Sequence, residues 1–225
     1  MPSDNVGLIH QRVEQMRLAK AGRDIDMDRV RLIRRGRLHE LHPEFFADDL
    51  PQSTAGNIID VAARDTAELM AGMPSLACAS GNMVTAADEK RASIKNKVGS
   101  YYWEKSRVET QNLDYADSVN CYGHGAWVVE PDYVRQCPMI RFESAFGSYY
   151  FKDRFGNTEW YAKIQCVSAG ELANLFPEHR NRILGVQDGK PQRTLSAMLK
   201  LVRYMDTKQT LVYLPECEYV TLVAK

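Results

Sequence analysis

The sequence predicts an α+β protein, and three observations carry the prediction. Apolar residues recur at steps of three and four through the first 120 positions, which is the period of helices. After Gly125 the pattern changes to aromatic and β-branched runs separated by turn residues, which reads as a mainly antiparallel sheet with one inserted helix. Helices and strands come in blocks instead of alternating. The expected organisation is a helical arm over 1–50, a helical region with one long helix over 51–124, and a β-rich region over 125–225.

Val6, Ile9, Val13 and Met16 mark one face of a first helix, Gly22 interrupts it, and a second helix is expected from Asp26 to Leu38. Pro43, Asp48, Asp49 and Pro51 make 39–52 a connecting loop. Ser53 is the expected N-cap of a helix striped by Ile58, Ile59, Ala62, Thr66, Leu69 and Met70 and stopped by Gly72 and Pro74. The apolar stretch 75–79 reads as a short strand. From Thr85 to Val119 the spacing of Ile94, Val98, Tyr101, Val108, Tyr115 and Val119 predicts one helix of roughly 50 Å. Gly123 and Gly125 end it with a turn to strand. Strands follow at 126–130, 139–143, 148–151 and 160–167. Ser168 and Glu171 form a capping box on a helix ending at Phe176-Pro177. A loop around 188–191 leads to strands at 198–205, 209–214 and 217–223, the first two joined as a hairpin by 206–209. The chain stops directly after a strand-like run, so a longer protein is expected.

Composition narrows the function. The 225 residues carry 29 Lys+Arg and 29 Asp+Glu, a formal net charge of zero, so any nucleic-acid contact must come from a local patch and not from bulk charge. No apolar run reaches the length of a membrane span, and the first residues lack a secretory leader. Five widely spaced cysteines, Cys78, Cys121, Cys137, Cys166 and Cys217, read as reduced intracellular thiols.

No phosphate-loop or dinucleotide glycine motif occurs, and no cofactor is expected. Cys121-x-x-His124 is half a zinc site with Cys137 alone as a further ligand, and a buried thiol beside a turn histidine is the favoured reading. Asp132 with Asp188-Gly-Lys190 supplies the letters of a metal-dependent nuclease, but the second group is turn chemistry. Asp114 and Asp117 read as a solvated face. The most distinctive charged feature is Arg29, Arg31, Arg34, Arg35 and Arg37, a candidate contact patch for DNA phosphates or an acidic partner. Against it stands a solvated face neutralised by Asp24, Asp26 and Asp28. Tyr101, Trp103, Val108 and Tyr115 are candidates for subunit contact or core, and base stacking is the less favoured role for the aromatic run 101–103.

Three stretches together resemble the portal proteins of long-tailed bacteriophages of high-GC Gram-positive hosts. They are the helix and Gly-x-Pro junction at 57–75, the Tyr-Gly-His-Gly turn, strand and Asp at 122–132, and the strands and Asp-x-x-Gly hairpin at 138–156. The helix at 168–177 and the strand at 203–206 are similar as well, so the resemblance runs over about residues 5–225. Glu143-Ser144 stands where the family often has Asp-Pro, and the chain has about half the usual family length. The resemblance implies the wing half, with stem, clip and crown absent. It implies a ring of twelve copies at a capsid vertex, a passive conduit for double-stranded DNA in packaging and ejection. Implied partners are the major capsid protein, the head–tail adaptor and the terminase large subunit, which is the separate motor. The location is the virion, with assembly in host cytoplasm, and no membrane partner. The expectation is a structural protein without catalysis. Another head or connector protein is the alternative within the virion, and a metal-dependent nuclease the alternative from another class.

Overall fold

The computed structural model describes residues 3–45, 58–72, 77–79, 85–132, 136–187 and 190–224. Helices α1 (Ser3–Ala19), α2 (Ala21–Arg34), α3 (Leu38–Leu41), α4 (Ile58–Met70), α5 (Ala86–Lys105) and α6 (Val108–Tyr122) come first. Strands β1 (Ala126–Asp132), β2 (Cys137–Glu143), β3 (Ser148–Lys152) and β4 (Thr158–Ser168) follow, then α7 (Ala169–Leu175) and α8 (Arg180–Ile183). Strands β5 (Val186–Gln187), β6 (Lys190–Pro191), β7 (Met198–Asp206), β8 (Thr210–Leu214) and β9 (Val220–Ala224) complete the described chain. The architecture is α+β, with the helices first and antiparallel sheets after them. Contacts group the chain into two units, a discontinuous one of 1–24 with 147–225 and a continuous one of 25–146, where three consecutive stretches were expected.

In the first unit a five-stranded antiparallel sheet, ordered β3-β4-β7-β8-β9, has a core on each face. Strand residues alternate between faces. Trp160, Ala162, Val202, Tyr204, Leu211 and Tyr213 therefore meet Val6, Ile9 and Val13 of α1. Leu199, Leu214, Val220 and Leu222 belong to the other core, with Leu172 and Ala173 of α7 and Ile183 of α8. The Ser168 hydroxyl accepts from the Glu171 N–H at 3.2 Å and starts α7. Asp206 Oδ1 accepts from the N–H groups of Lys208 and Gln209 and closes the β7–β8 turn.

In the second unit α4 packs on α6, and α5 and α6 on β2, which pairs antiparallel with β1. Its buried apolar side chains among the described residues are mostly small: Ala67, Val108, Ala116, Val128, Cys137 and Ala145, with Met27; Ser106, Asn112, Ser118 and Glu143 are buried as well.

Several expectations need correction. The first break falls at Lys20, and the second helix begins at Ala21, five residues before Asp26. A helical turn, α3, occupies part of the expected loop. Residues 77–79 are not strand, and Ser53, Pro74 and 75–76 lie outside the described residues. The single long helix is two helices. Thr85 caps α5, its hydroxyl oxygen accepting from the Asp88 N–H at 3.2 Å, but the helix stops at Lys105 and Arg107 adopts φ 52°. The reason lies on β2. Ser106 Oγ accepts from the Ile140 N–H at 2.9 Å and Gln111 Oε1 from the Phe142 N–H at 2.7 Å, so the break covers a strand edge whose donors would otherwise be open. At the far end Gly123 has φ 76° and caps α6. Gly125 serves a different need: a Cβ there would stand 2.9 Å from the Phe142 ring and 3.1 Å from Tyr115. The last strand starts at Val220, after a short 3-10 turn over Pro215–Cys217.

Candidate functional site

The arginine run sits on α2 and just beyond it, and local carboxylates take up most of its charge. Arg29 pairs with Asp26 at 3.2 Å, Arg31 with Asp28 at 2.7 Å, and Arg37 with Glu40. Arg31 also lies over the Phe146 ring, 4.9 Å from its centre. Asp24 is engaged by Arg23 at 2.7 Å and by the Tyr149 hydroxyl at 2.6 Å, so it neutralises none of the run. Arg35 forms no ion pair with the described residues.

Arg34 departs most from the expected patch. Its side chain is 11% exposed; Nε donates to Asp60 Oδ1 of α4 and Nη1 to Asp117 Oδ2 of α6, each at 2.8 Å. Those two carboxylates raise its already high pKa. Arg64 holds the second oxygen of Asp60 at 3.0 Å. Arg34 is thus a strut between α2, α4 and α6, unavailable to a phosphate, and Asp117 belongs to the strut instead of a solvated face. Asp114 is exposed.

The aromatic candidates separate by depth. Val108 is buried, and Tyr115 packs against Trp127 and Phe142 at centroid distances of 5.4 and 5.9 Å, so both belong to the interior of their unit. Trp103 is half-buried, while Tyr101 is exposed on α5 with the Lys105 ammonium 5.9 Å from its ring centre.

Cys121 Sγ lies 3.8 Å from Asp117 Oδ1, and burial pushes its thiol up from the ordinary pKa. His124 Nδ1 is 3.2 Å from the Tyr122 carbonyl oxygen, and Cys137 lies opposite Asp132 in the β1–β2 ladder. Among the described residues no three His, Cys, Asp or Glu side chains are gathered as metal ligands. Asp188 lies outside the described residues, and Lys190 opens β6. Cys78 and Cys166 are exposed. No described helix is long and apolar enough to cross a membrane. A groove of about 370 Å³ runs beside α1, floored by Phe151 stacked on Trp160 at 6.4 Å and edged by Arg12, Gln15 and Glu159.

The feature that sequence reasoning missed is which way α4 faces. Its stripe of Ile58, Ile59, Leu69 and Met70 points outward, with Leu69 87% and Ile58 82% exposed. The face against α6 is built from Ala67 and Ala63, whose carbonyl accepts from Asn120 Nδ2 at 3.4 Å, and from Asp60 bridged by Arg34. On α5, Ile94, Val98 and Tyr101 are exposed as well. The period of the stripe was readable; a clue to its direction was Asp60, which lies about 140° from the centre of the stripe and so cannot be buried with it. No known family model matches this chain, and no curated protein is similar to it.

Proposed function

We propose that this chain is a subunit of a bacteriophage portal: a ring at the capsid vertex that conducts DNA into and out of the head and carries the tail attachment. The observation that carries this reading is the outward apolar face of α4, in a unit whose fully buried apolar side chains are mostly alanine and valine. Such a unit leaves large aliphatic side chains in water unless another subunit covers them, which is the requirement of an assembling structural protein. The resemblance over 57–75, 122–132 and 138–156 points to the portal among such proteins. Helix length lends no support, because α5 ends at Lys105.

In this reading the chain acts by shape and the motor is the separate terminase. DNA must slide through the ring, so strong phosphate pairing along the wall would oppose function. The internal pairing of Arg29, Arg31, Arg34 and Arg37 fits that demand better than an exposed basic patch does. Capsid protein, adaptor and terminase are the proposed partners.

The test is mass photometry with electron microscopy of the full-length gene product at micromolar concentration. Closed rings with a central hole are expected. A lone monomer overturns the reading, as does Mg²⁺-dependent plasmid cleavage lost in Asp132→Ala.

A further inference from the structure

We propose that copies of this chain associate head to tail through two different helices of the 25–146 unit, the apolar face of α4 in one copy against that of α5 in the next. The inference rests on the portal reading only in requiring that copies assemble. On α4, Ile58, Ala62 and Leu69 fall within about 40° of one another around the helix; on α5, Ile94, Val98 and Tyr101 fall within about 60°. Both stripes are exposed, and each is one face of a helix with no cover from the described chain.

Their charged rims differ in sign. Asp65 and Glu68 border the α4 stripe, both exposed and forming no ion pair with the described residues. Lys90 and Lys97 flank the α5 stripe on one side, with Glu104 beside them, Arg91 and Lys95 flank it on the other, and Lys105 lies on the stripe by Tyr101; among the described residues the one ion pair of these flanking cations is that of Arg91 with Asp88, at a loose 4.0 Å. Two α4 faces would set Asp65 and Glu68 against their own copies, and two α5 faces would oppose a mainly cationic rim to its own copy. Only α4 on α5 brings opposite charges together around an apolar seam.

The area argues for repetition as well. The 13 residues of α4 give a seam of about 20 Å. Its footprint is a few hundred Å² per copy, below the roughly 800 Å² per partner of a standard stable interface. One such contact is weak alone. A heterologous contact that repeats, however, lets each copy be held on two sides once the array closes.

The experiment compares the full-length protein with Leu69→Asp and Ile94→Asp by sedimentation velocity, with far-ultraviolet circular dichroism as the check on folding. Both positions are exposed, so the subunit fold should persist. Each variant alone is expected to be monomeric, its association weakened about 30-fold or more. Mixed at about 500 μM, where a weak single contact is populated, they should form heterodimers and nothing larger, because a single intact α4 then meets a single intact α5. Dimers of Ile94→Asp by itself would mean that α4 pairs with its own copy, and would overturn the proposal; so would a mixture that stays monomeric. Rings that survive both substitutions would overturn this pairing and leave the portal reading standing. Open ladders of the parent protein that both substitutions dissolve would support the pairing and remove the portal reading.

Discussion

Replacing Arg34 with alanine tests how the 25–146 unit is held together. The guanidinium has two carboxylate partners on two helices, with side-chain exposures of 11% for Arg34, 14% for Asp60 and 26% for Asp117. After the substitution Asp60 keeps Arg64, but among the described residues Asp117 keeps only the weak Cys121 thiol. Removing one member of a buried pair costs about 3–5 kcal/mol, because the other charge stays behind unpaired. Asp117 can recover some hydration, so the working figure is about 2–3 kcal/mol. In a unit of this size that corresponds to a fall in Tm of about 8–12 °C, read at 222 nm. Arg29→Ala is the internal control: it breaks an exposed pair with Asp26 and should cost no more than about 0.5 kcal/mol. A double-mutant cycle of Arg34→Ala with Asp117→Asn should show coupling of at least about 1 kcal/mol. Equal small shifts for Arg34→Ala and Arg29→Ala would refute the strut.

Three further outcomes are expected. Gly147→Ala should destabilise the first unit by about 2–4 kcal/mol in urea, since Gly147 has φ +66° and a Cβ there would stand 2.2 Å from the Ile164 carbonyl oxygen; an unchanged midpoint would contradict the geometry. Arg107→Gly should raise Tm by the equivalent of about 0.5–1 kcal/mol, because Arg107 holds φ 52° where α5 breaks, and a lower Tm would count against the break. Burial lowers the His10 pKa from 6.5, with Lys200 and Arg17 adding and Glu14 opposing, so the folded state binds fewer protons than the unfolded chain; stability should fall as pH drops below about 6.5, and His10→Gln should flatten that limb of the Tm–pH profile.

Local chemistry made much of the fold legible. The Val6, Ile9, Val13 stripe, the Ser168–Glu171 cap and the 206–209 turn each depend on neighbours in sequence, and each stands where local rules put it. What escaped depended on distant partners. Nothing in Ser106-Arg107 breaks a helix by itself; the break exists because β2 has open donors at Ile140 and Phe142 that Ser106 and Gln111 satisfy. The same holds for Arg34. Five arginines close together read alike, and only the positions of Asp60 and Asp117, 26 and 83 residues away, turn one of them inward.

The orientation of α4 is the point on which the functional reading turns. A helix period reports that an apolar face exists, not what covers it. Rotating α4 about its axis by half a turn would bury Ile58, Ile59, Leu69 and Met70 against α6, a gain of about 1.5–3 kcal/mol for each large side chain fully covered. It would sacrifice the Arg34–Asp60 bridge, worth only a few kcal/mol. In an isolated chain that balance favours rotation. The outward stripe becomes the better arrangement when something beyond the described residues covers it and returns the hydrophobic gain, while Asp60 keeps its arginine. Alanines on the inner face make the arrangement possible, since Ala63 and Ala67 let α4 lie close to α6 without large side chains between them.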